Sequence, residues 1–376
     1  MGDSGSRGPL VGLKIVEMGA IGPVPMACRL LADLGADVLR LERSSDRAMA
    51  EAIGTGDMYT GRPAVALDLK DNGDIARARQ VIAAADVVME GFRPGVMERL
   101  GLGPDITLTD NPSLVFVRMT GWGQDGPLAQ RAGHDINYIS LTGGLHAVGE
   151  PGRKPVVPIN LLGDFGGGAM FAVVGALAGV HAVRAGSPGH VVDAAMVDGA
   201  SYLLSMTYSM LGAGRWVDQR GSNLLDGGAP FYDTFECADG GWVAVGALEP
   251  QFWAALVAGL GVDDLPPRED PSQWPALRAR LTEVFLSRSR DEWAERFAGT
   301  DACVSPVLSL TEAPTHPAMV ARGTFGLADG QARPAPAPRF AGFTTAPTAY
   351  GVTDVLARWP VEPSLVIELA TRETTW

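Results

Sequence analysis

Residues 13–18 (LKIVEM) form a short apolar run that ends on a Gly/Pro loop at 19–25. Residues 26–34 then carry apolar positions at helical spacing and stop at Gly35, and 37–41 are apolar again. A strand, a helix and a strand within about thirty residues predict a parallel βαβ unit. The alternation continues with strands expected at 64–69, 86–89 and 113–119 and a helix at 74–85. An N-terminal doubly wound α/β domain follows.

Beyond Asp135 the pattern turns helical. Helices are predicted at 136–147, 166–184 and 196–212, with a short strand at 191–193. Residues 216–229 are polar and glycine-rich, which reads as a linker. A second unit opens at Phe231, with strands at 232–237 and 242–245 and helices at 251–260, 274–287 and 290–297. A Pro/Ala-rich stretch at 332–347 reads as a second linker, followed by a tail that contains the apolar run 361–370. The expected fold class is α/β: a large doubly wound, Rossmann-like parallel-sheet domain plus a smaller α+β domain joined by two linkers. The boundaries are 1–215 for the large domain, 216–230 linker, 231–330 small domain and 331–350 return linker. Residues 351–376 are a C-terminal segment expected to pack on the large domain. No internal repeat is present.

Composition narrows the function. Of 376 residues, 46% are hydrophobic and 19% charged, the balance of a folded chain with a core. The formal net charge of −13 argues against a general nucleic-acid binder, whose affinity depends on neutralising phosphates. An anionic ligand would need positive charge gathered locally. Cys28, Cys237 and Cys303 are far apart, so neither a disulfide framework nor a cysteine metal site is indicated, and a reducing, cytoplasmic compartment is expected. Residues 1–9 lack an apolar signal core. The most membrane-like run, 165–180, falls short of the roughly twenty residues needed to cross a bilayer, so a buried helix is expected and no membrane span. The first βα loop, with Pro23 and Pro25, does not reproduce G-x-G-x-x-G, which speaks against nicotinamide or flavin chemistry. Gly2-Asp3-Ser4-Gly5-Ser6 resembles a serine-nucleophile motif, but it precedes the first strand, where nothing would hold a triad.

Several constellations could carry chemistry. In Gly133-His134-Asp135-Ile136-Asn137-Tyr138, His134 stands at the mouth of a helix that Asp135 can cap; a plain surface histidine fits the spacing equally well, although imidazole is readily poised as a base near neutral pH. In Gly163-Asp164-Phe165-Gly166-Gly167-Gly168, Asp164 has the position of an ordinary N-cap. The three glycines would open a helix N-terminus, with bare N–H groups suited to a developing enolate oxygen. Glu249 follows a strand and opens a helix, which alone signals little. Arg43, Lys70 and Arg93 lie just beyond predicted strand ends, where open α/β sheets bind ligands, and Arg99 is nearby. Met196, Met206 and Met210 fit core packing better than an acyl-binding surface, though methionine suits both.

Taken together, the motifs resemble the α-methylacyl-CoA racemase branch of the family III (CaiB/BaiF-type) CoA-transferases. The resemblance runs from Leu10 to about Pro338 and rests on LGADV at 34–38, LDLK at 67–70, EGFRPGV at 90–96 and MTGWGQ at 119–124. It extends through GHDINYIS from Gly133, GDFGGG from Gly163, VDAAMVDG from Val192 and LDGGAPFYDTFECADG from Leu225. It implies an interlocked homodimer whose active site is shared between the large domain of one chain and the small domain of the other. It also implies His134 and Asp164 as an acid/base pair, with Glu249 as the small-domain carboxylate beside the partner's histidine. For CoA it implies Arg43, Leu67, Asp68, Leu69, Lys70, Gly91, Phe92, Arg93, Arg99, Gly133, Asp135, Ile136, Asn137 and Tyr138. Residues 46–63 depart from the family's pattern. The implied reaction is 1,1-proton transfer interconverting (2R)- and (2S)-2-methylacyl-CoA thioesters, with no metal or redox cofactor. The alternative is a CoA-transferase in which Asp164 is a nucleophile passing through an acyl anhydride.

Overall fold

The computed structural model describes residues 8–328, 330–343 and 350–374. The serine-like motif at Gly2–Ser6, part of the return linker and the last two residues lie outside them. The chain divides into two compact units, one of residues 1–144, 158–205 and 336–376 and the other of 145–157 and 206–335. Residues 145–157, grouped with the large domain by the sequence pattern, thus belong to the second unit.

In the first unit the predicted alternation is realised as β1 Lys14–Met18, α1 Pro23–Asp33, β2 Asp37–Glu42, α2 Ser44–Ala52, β3 Ala64–Ala66, α3 Asn72–Ala83 and β4 Val87–Glu90. Short α4 Val96–Arg99 and α5 Pro104–Asp110 lead to β5 Val115–Thr120. Then follow α6 Asp135–Ser140, a single turn α7 Gly144–Ala147 of which only Gly144 belongs to this unit, a π-helical segment Leu161–Ala169, α8 Met170–Arg184, β6 His190–Ala195 and α9 Met196–Leu203. Every residue of β2, β4 and β5 is buried, as expected for parallel strands covered on both faces.

Two expected helices prove to be broken and a third longer than expected. The run 136–147 splits into α6 and α7 where Gly143 takes φ 81°. The run 166–184 begins earlier, at Leu161, and its first nine residues are π-helical. The run 196–212 is interrupted at Leu204, giving α9 and α10 Ser205–Gly212. Leu161–Arg184 therefore forms a 24-residue helix, longer than its apolar run. By length and composition it could cross a membrane, yet one face is buried: Gly179 has no room for a side chain against Val115, and Gly175 none against Val192.

The second unit continues from α10 with β7 Tyr232–Glu236 and β8 Trp242–Gly246, then α11 Pro250–Leu260, α12 Trp274–Phe285, α13 Arg290–Phe297 and β9 Val304–Pro306. Antiparallel β7, β8 and β9 form a small sheet over a core that includes Phe235, Phe285, Trp293 and Phe297. After α14 Pro317–Arg322 a hairpin, β10 Phe325–Ala328 and β11 Gln331–Pro334, occupies the start of the predicted return linker. The C-terminal segment, with α15 Val352–Leu356, α16 Pro363–Ala370 and β12 Glu373–Thr374, rejoins the first unit. Val352, Leu356, Leu365 and Leu369 enter its core, and β12 adds an antiparallel edge beside β3.

The large sheet has the order β12-β3-β2-β1-β4-β5-β6, parallel except for β12. The order reverses at β1, which pairs with both β2 and β4. Loops leaving β1 and β4 diverge there and open a crevice at the carboxyl ends of the strands.

Candidate active site

A cavity of about 580 Å³ occupies that crevice. The loop after β1 and the start of α1 line it with Ile21, Gly22, Pro23 and Val24, the loop after β4 with Gly91, Phe92, Arg93 and Pro94, and the end of β5 and the residues after it with Met119, Thr120, Gly121 and Trp122. Its remaining wall includes Gly133, His134, Tyr138, Asn160, Asp164, Phe165 and Met196. His134 and Asp164, 30 positions apart in sequence, are thus brought to one cavity.

His134 is the N-cap residue of α6, with extended backbone. Its N–H donates to Asn137 Oδ1 at 3.1 Å, and its carbonyl accepts the N–H groups of Asn137 and Tyr138. The imidazole makes no capping bond and is exposed. Asp164 is the fourth residue of the π-helical segment, whose N-cap is Asn160, so it is not the cap that the spacing predicted. Burial raises its carboxyl above the usual carboxylate range and the charge of Asp135 adds to this, while Asn160 and His134 pull the other way. Asn160 Nδ2 donates to Asp164 Oδ2 at 3.4 Å. On the other side the chain approaches through Gly22, where a Cβ would lie 3.5 Å from the same oxygen.

Tyr138 fills the floor. Its hydroxyl donates to the Gly133 carbonyl, and its ring meets Trp122 edge to face at 4.9 Å. A Cβ on Gly133 would stand 2.8 Å from that ring, so glycine is what the close approach requires.

The expected phosphate grip is only partly assembled. Arg93 is on the cavity wall, as are Gly91 and Phe92. Arg43, Leu67, Asp68, Leu69, Lys70 and Arg99 are not among the lining residues. The Arg43 guanidinium is held by Asp46 at 2.9 Å, at the start of α2. Leu67 is a core residue with Leu69 packed against that core, and Asp68 and Lys70 form the turn that leads into α3. Ile136 and Asn137 are exposed on the first turn of α6, whereas Asp135 is buried beneath it.

Gly166, Gly167 and Gly168 correct the sequence reading most clearly. They lie inside a helix that begins five residues earlier, and interior amides are committed to the helix's own carbonyls. Gly167 and Gly168 are buried, and Gly167 packs on α9, where a Cβ would stand 3.0 Å from the Cα of Ala200. They are contact glycines, not an open N-terminus.

The sequence pattern passed over Arg131, Asn160 and the segment containing Ile53, Thr55, Met58 and Tyr59, all on the cavity wall. That segment belongs to the stretch 46–63, and Arg62 anchors it. Arg62 Nη2 donates to the Met58 carbonyl and Nε to buried Glu17, which also receives Arg40 at 2.7 Å. The Arg40 guanidinium lies 4.1 Å from the centre of the Tyr59 ring. Met196 lines the cavity, while α10, which carries Met206 and Met210, has no buried residue, contrary to core packing. In the second unit Glu249 is the exposed N-cap of α11, and its side chain makes no capping bond.

Residues 10–365 match the family described as CoA-transferase family III. The chain belongs to this family. It is 41% identical to the α-methylacyl-CoA racemase of Mus musculus over 88% of this chain and 85% of that protein. It is 40% identical to the Homo sapiens racemase over 88% of this chain and 86% of that one. The crystal structure of a CAIB/BAIF family protein from Brucella suis superposes with a TM-score of 0.75 at 24% identity, covering 91% of this chain and 95% of that one, which supports the fold. Family membership accounts for the large parallel sheet, and with it for the crevice at β1 and β4 that His134 and Asp164 both line.

Proposed function

We propose that the chain is an α-methylacyl-CoA racemase, an isomerase that interconverts 2-methylacyl-CoA epimers by moving the α-proton. The observation that carries this reading is that His134 and Asp164 share the wall of one cavity. Racemisation needs two groups at one carbon, one taking the proton and the other returning one to the opposite face. A neutral His134 accepts the α-proton while the C–H electron pair moves into the thioester carbonyl; a protonated Asp164 then delivers its proton to the other face. The reverse direction exchanges these roles.

Gly166–Gly168 are committed to their helix and are not the donors for the enolate oxygen. Arg93 and Arg131 supply the positive charge for the anionic CoA ester, and Met196, Phe165 and Ile53 an apolar surface for a branched acyl chain. The chemistry calls for no metal or redox cofactor.

We further infer an obligate homodimer in which Glu249 orients the histidine of the partner chain. Each unit taken by itself supports this with uncovered apolar surface: Val174, Tyr202 and Leu203 in the first, and Met206, Tyr208 and Leu211 in the second. The proposed setting is cytoplasmic lipid and fatty-acid metabolism.

A single 2-methylacyl-CoA enantiomer in deuterium oxide tests the reaction. A racemase incorporates α-deuterium and epimerises the ester with no acceptor acid present. A transferase using Asp164 as nucleophile does neither and instead moves CoA to an added carboxylate.

A further inference from the structure

We propose that Asp135 is a positioning residue for the two-base reaction, clamping the Asp164 main chain to the first turn of α6 and holding a fixed negative charge beside its carboxyl. The inference rests on the racemase reading. Asp135 Oδ1 accepts the backbone N–H of Asp164 at 2.7 Å. The adjoining residue in the chain is His134, so a single side chain ties the backbone of one base to that of the other. The contact is built in: Gly163 leaves the space that the Asp135 carboxyl fills, since a Cβ there would stand 2.9 Å from Asp135 Cγ.

An acidic residue opening a helix ordinarily sits in water, where it interacts with the helix dipole. Asp135 instead is 7% exposed, and its Oδ2 is buried with no hydrogen-bond partner among the described residues. Accepting one N–H requires a single carbonyl-type oxygen, which asparagine also has. A carboxylate here carries an additional desolvation cost, which makes sense where the charge is used.

Its use follows from the reaction. The pair passes one proton back and forth, and the direction that starts from neutral imidazole requires that proton to sit on Asp164. With ordinary side chains the imidazole, near about 6.5, outcompetes a carboxylate near about 3.9 by several hundredfold. A negative charge at Asp135 favours protonated Asp164, as burial does, and brings the two proton-holding forms closer together. The groups facing Asp164 are Asp135, His134 and Tyr138 from α6 and its cap, and Asn160 from its own segment; Arg93 from the β4 loop faces Tyr138. Of these only Asp135 is an acid with the fixed hydrogen bond.

The test compares Asp135→Asn and Asp135→Ala in the full-length protein, reading epimerisation and solvent exchange of one enantiomer across pH. Asparagine keeps the shape and the acceptor but removes the charge. The acid limb of its kcat/KM profile is expected to move to lower pH, with kcat down about tenfold and KM nearly unchanged. Alanine should lose a further factor of about ten or more, because the clamp goes as well. An asparagine variant whose acid limb coincides with that of the wild type overturns the electrostatic role, whatever its rate. An alanine variant with wild-type rates overturns the clamp. Wild-type enzyme that fails to exchange the proton would instead defeat the racemase reading itself, so the two failures are distinguishable.

Discussion

Gly199 of α9 lies against the main chain of Gly167 so closely that a Cβ at position 199 would stand 2.9 Å from the Cα of Gly167 and closer still to its carbonyl. Two backbones meet without side chains between them, and the segment so gripped is the one that carries Asp164. Gly199→Ala must therefore push α9 and the π-helical turn apart. The expected cost is about 1–3 kcal/mol in urea unfolding, with a fall in epimerisation as Asp164 shifts. Gly212→Ala on α10 is the control: its methyl meets nothing within 4 Å, and its stability should stay within about 0.5 kcal/mol of wild type. Equal stability of the two variants would refute the packing role.

Removing one base at a time should separate inversion from exchange. Asp164→Ala is expected to slow epimerisation by about a thousandfold, yet His134 can still remove the α-proton of one enantiomer and return a deuteron to the same face. His134→Ala should show the mirror preference, exchanging the other enantiomer. Proton wash-out is followed by mass spectrometry on each pure enantiomer. If both variants exchange the same enantiomer, the two groups do not stand on opposite faces.

How much of this could be read in the sequence follows from where each signal originates. The central strands were legible because burial on both faces makes them continuous apolar runs, as in 115–120 and 87–90. Helix α2 was missed because its sequence, SSDRAMAEA, buries only Asp46 and Ala50 and so shows no apolar stripe. The edge strands β9 to β11 are only three or four residues long. His134 and Asp164 stood out as motif residues, but the purpose of the glycines after Asp164 did not. A glycine needed for a helix contact and one needed for an open N-terminus look alike until the partner helix is seen. A π-helical turn also escapes a search tuned to the α-helical period. Asp135 read as a cap for the same reason: its true partner is 29 residues away.

Glu90 should make stability fall as pH rises. It is almost fully buried at the end of β4, where Oε2 accepts the Phe92 N–H at 2.7 Å and Oε1 accepts Arg118 Nε at 3.1 Å. Burial pushes its carboxyl up to about 7, against the opposing pull of the Phe92 amide and Arg118. In the unfolded chain a glutamate titrates near about 4.3. The folded state therefore holds the extra proton between these values; its stabilising contribution is full below the lower one and is lost as pH rises through the upper one. Across that window wild type should lose up to about 3 kcal/mol relative to Glu90→Gln, which cannot titrate. Urea unfolding of both proteins at several pH values measures the difference, and a difference that does not change with pH contradicts the assignment.

Arg93 and Arg43 were equivalent candidates in the sequence, each just past a strand, but the structure separates them. Arg93 lies on the cavity wall, and its charge reaches the Tyr138 hydroxyl, opposing the rise that burial and Asp164 cause there. Arg43 is already neutralised by Asp46, which serves the start of α2. An anionic CoA ester entering the crevice therefore meets a cation with no ion pair among the described residues at one position and a committed one at the other. Arg93→Ala should raise KM about tenfold or more while kcat stays within a few-fold, because a contact remote from the reacting carbon is lost equally from ground and transition states. Arg43→Ala should change KM by less than about threefold, since a largely exposed ion pair adds little. Added salt should raise the wild-type KM and affect Arg93→Ala less, as screening removes what the variant no longer has. The reverse ranking of the two variants would move the phosphate grip from the β4 loop to the β2 edge, outside the cavity that holds His134 and Asp164.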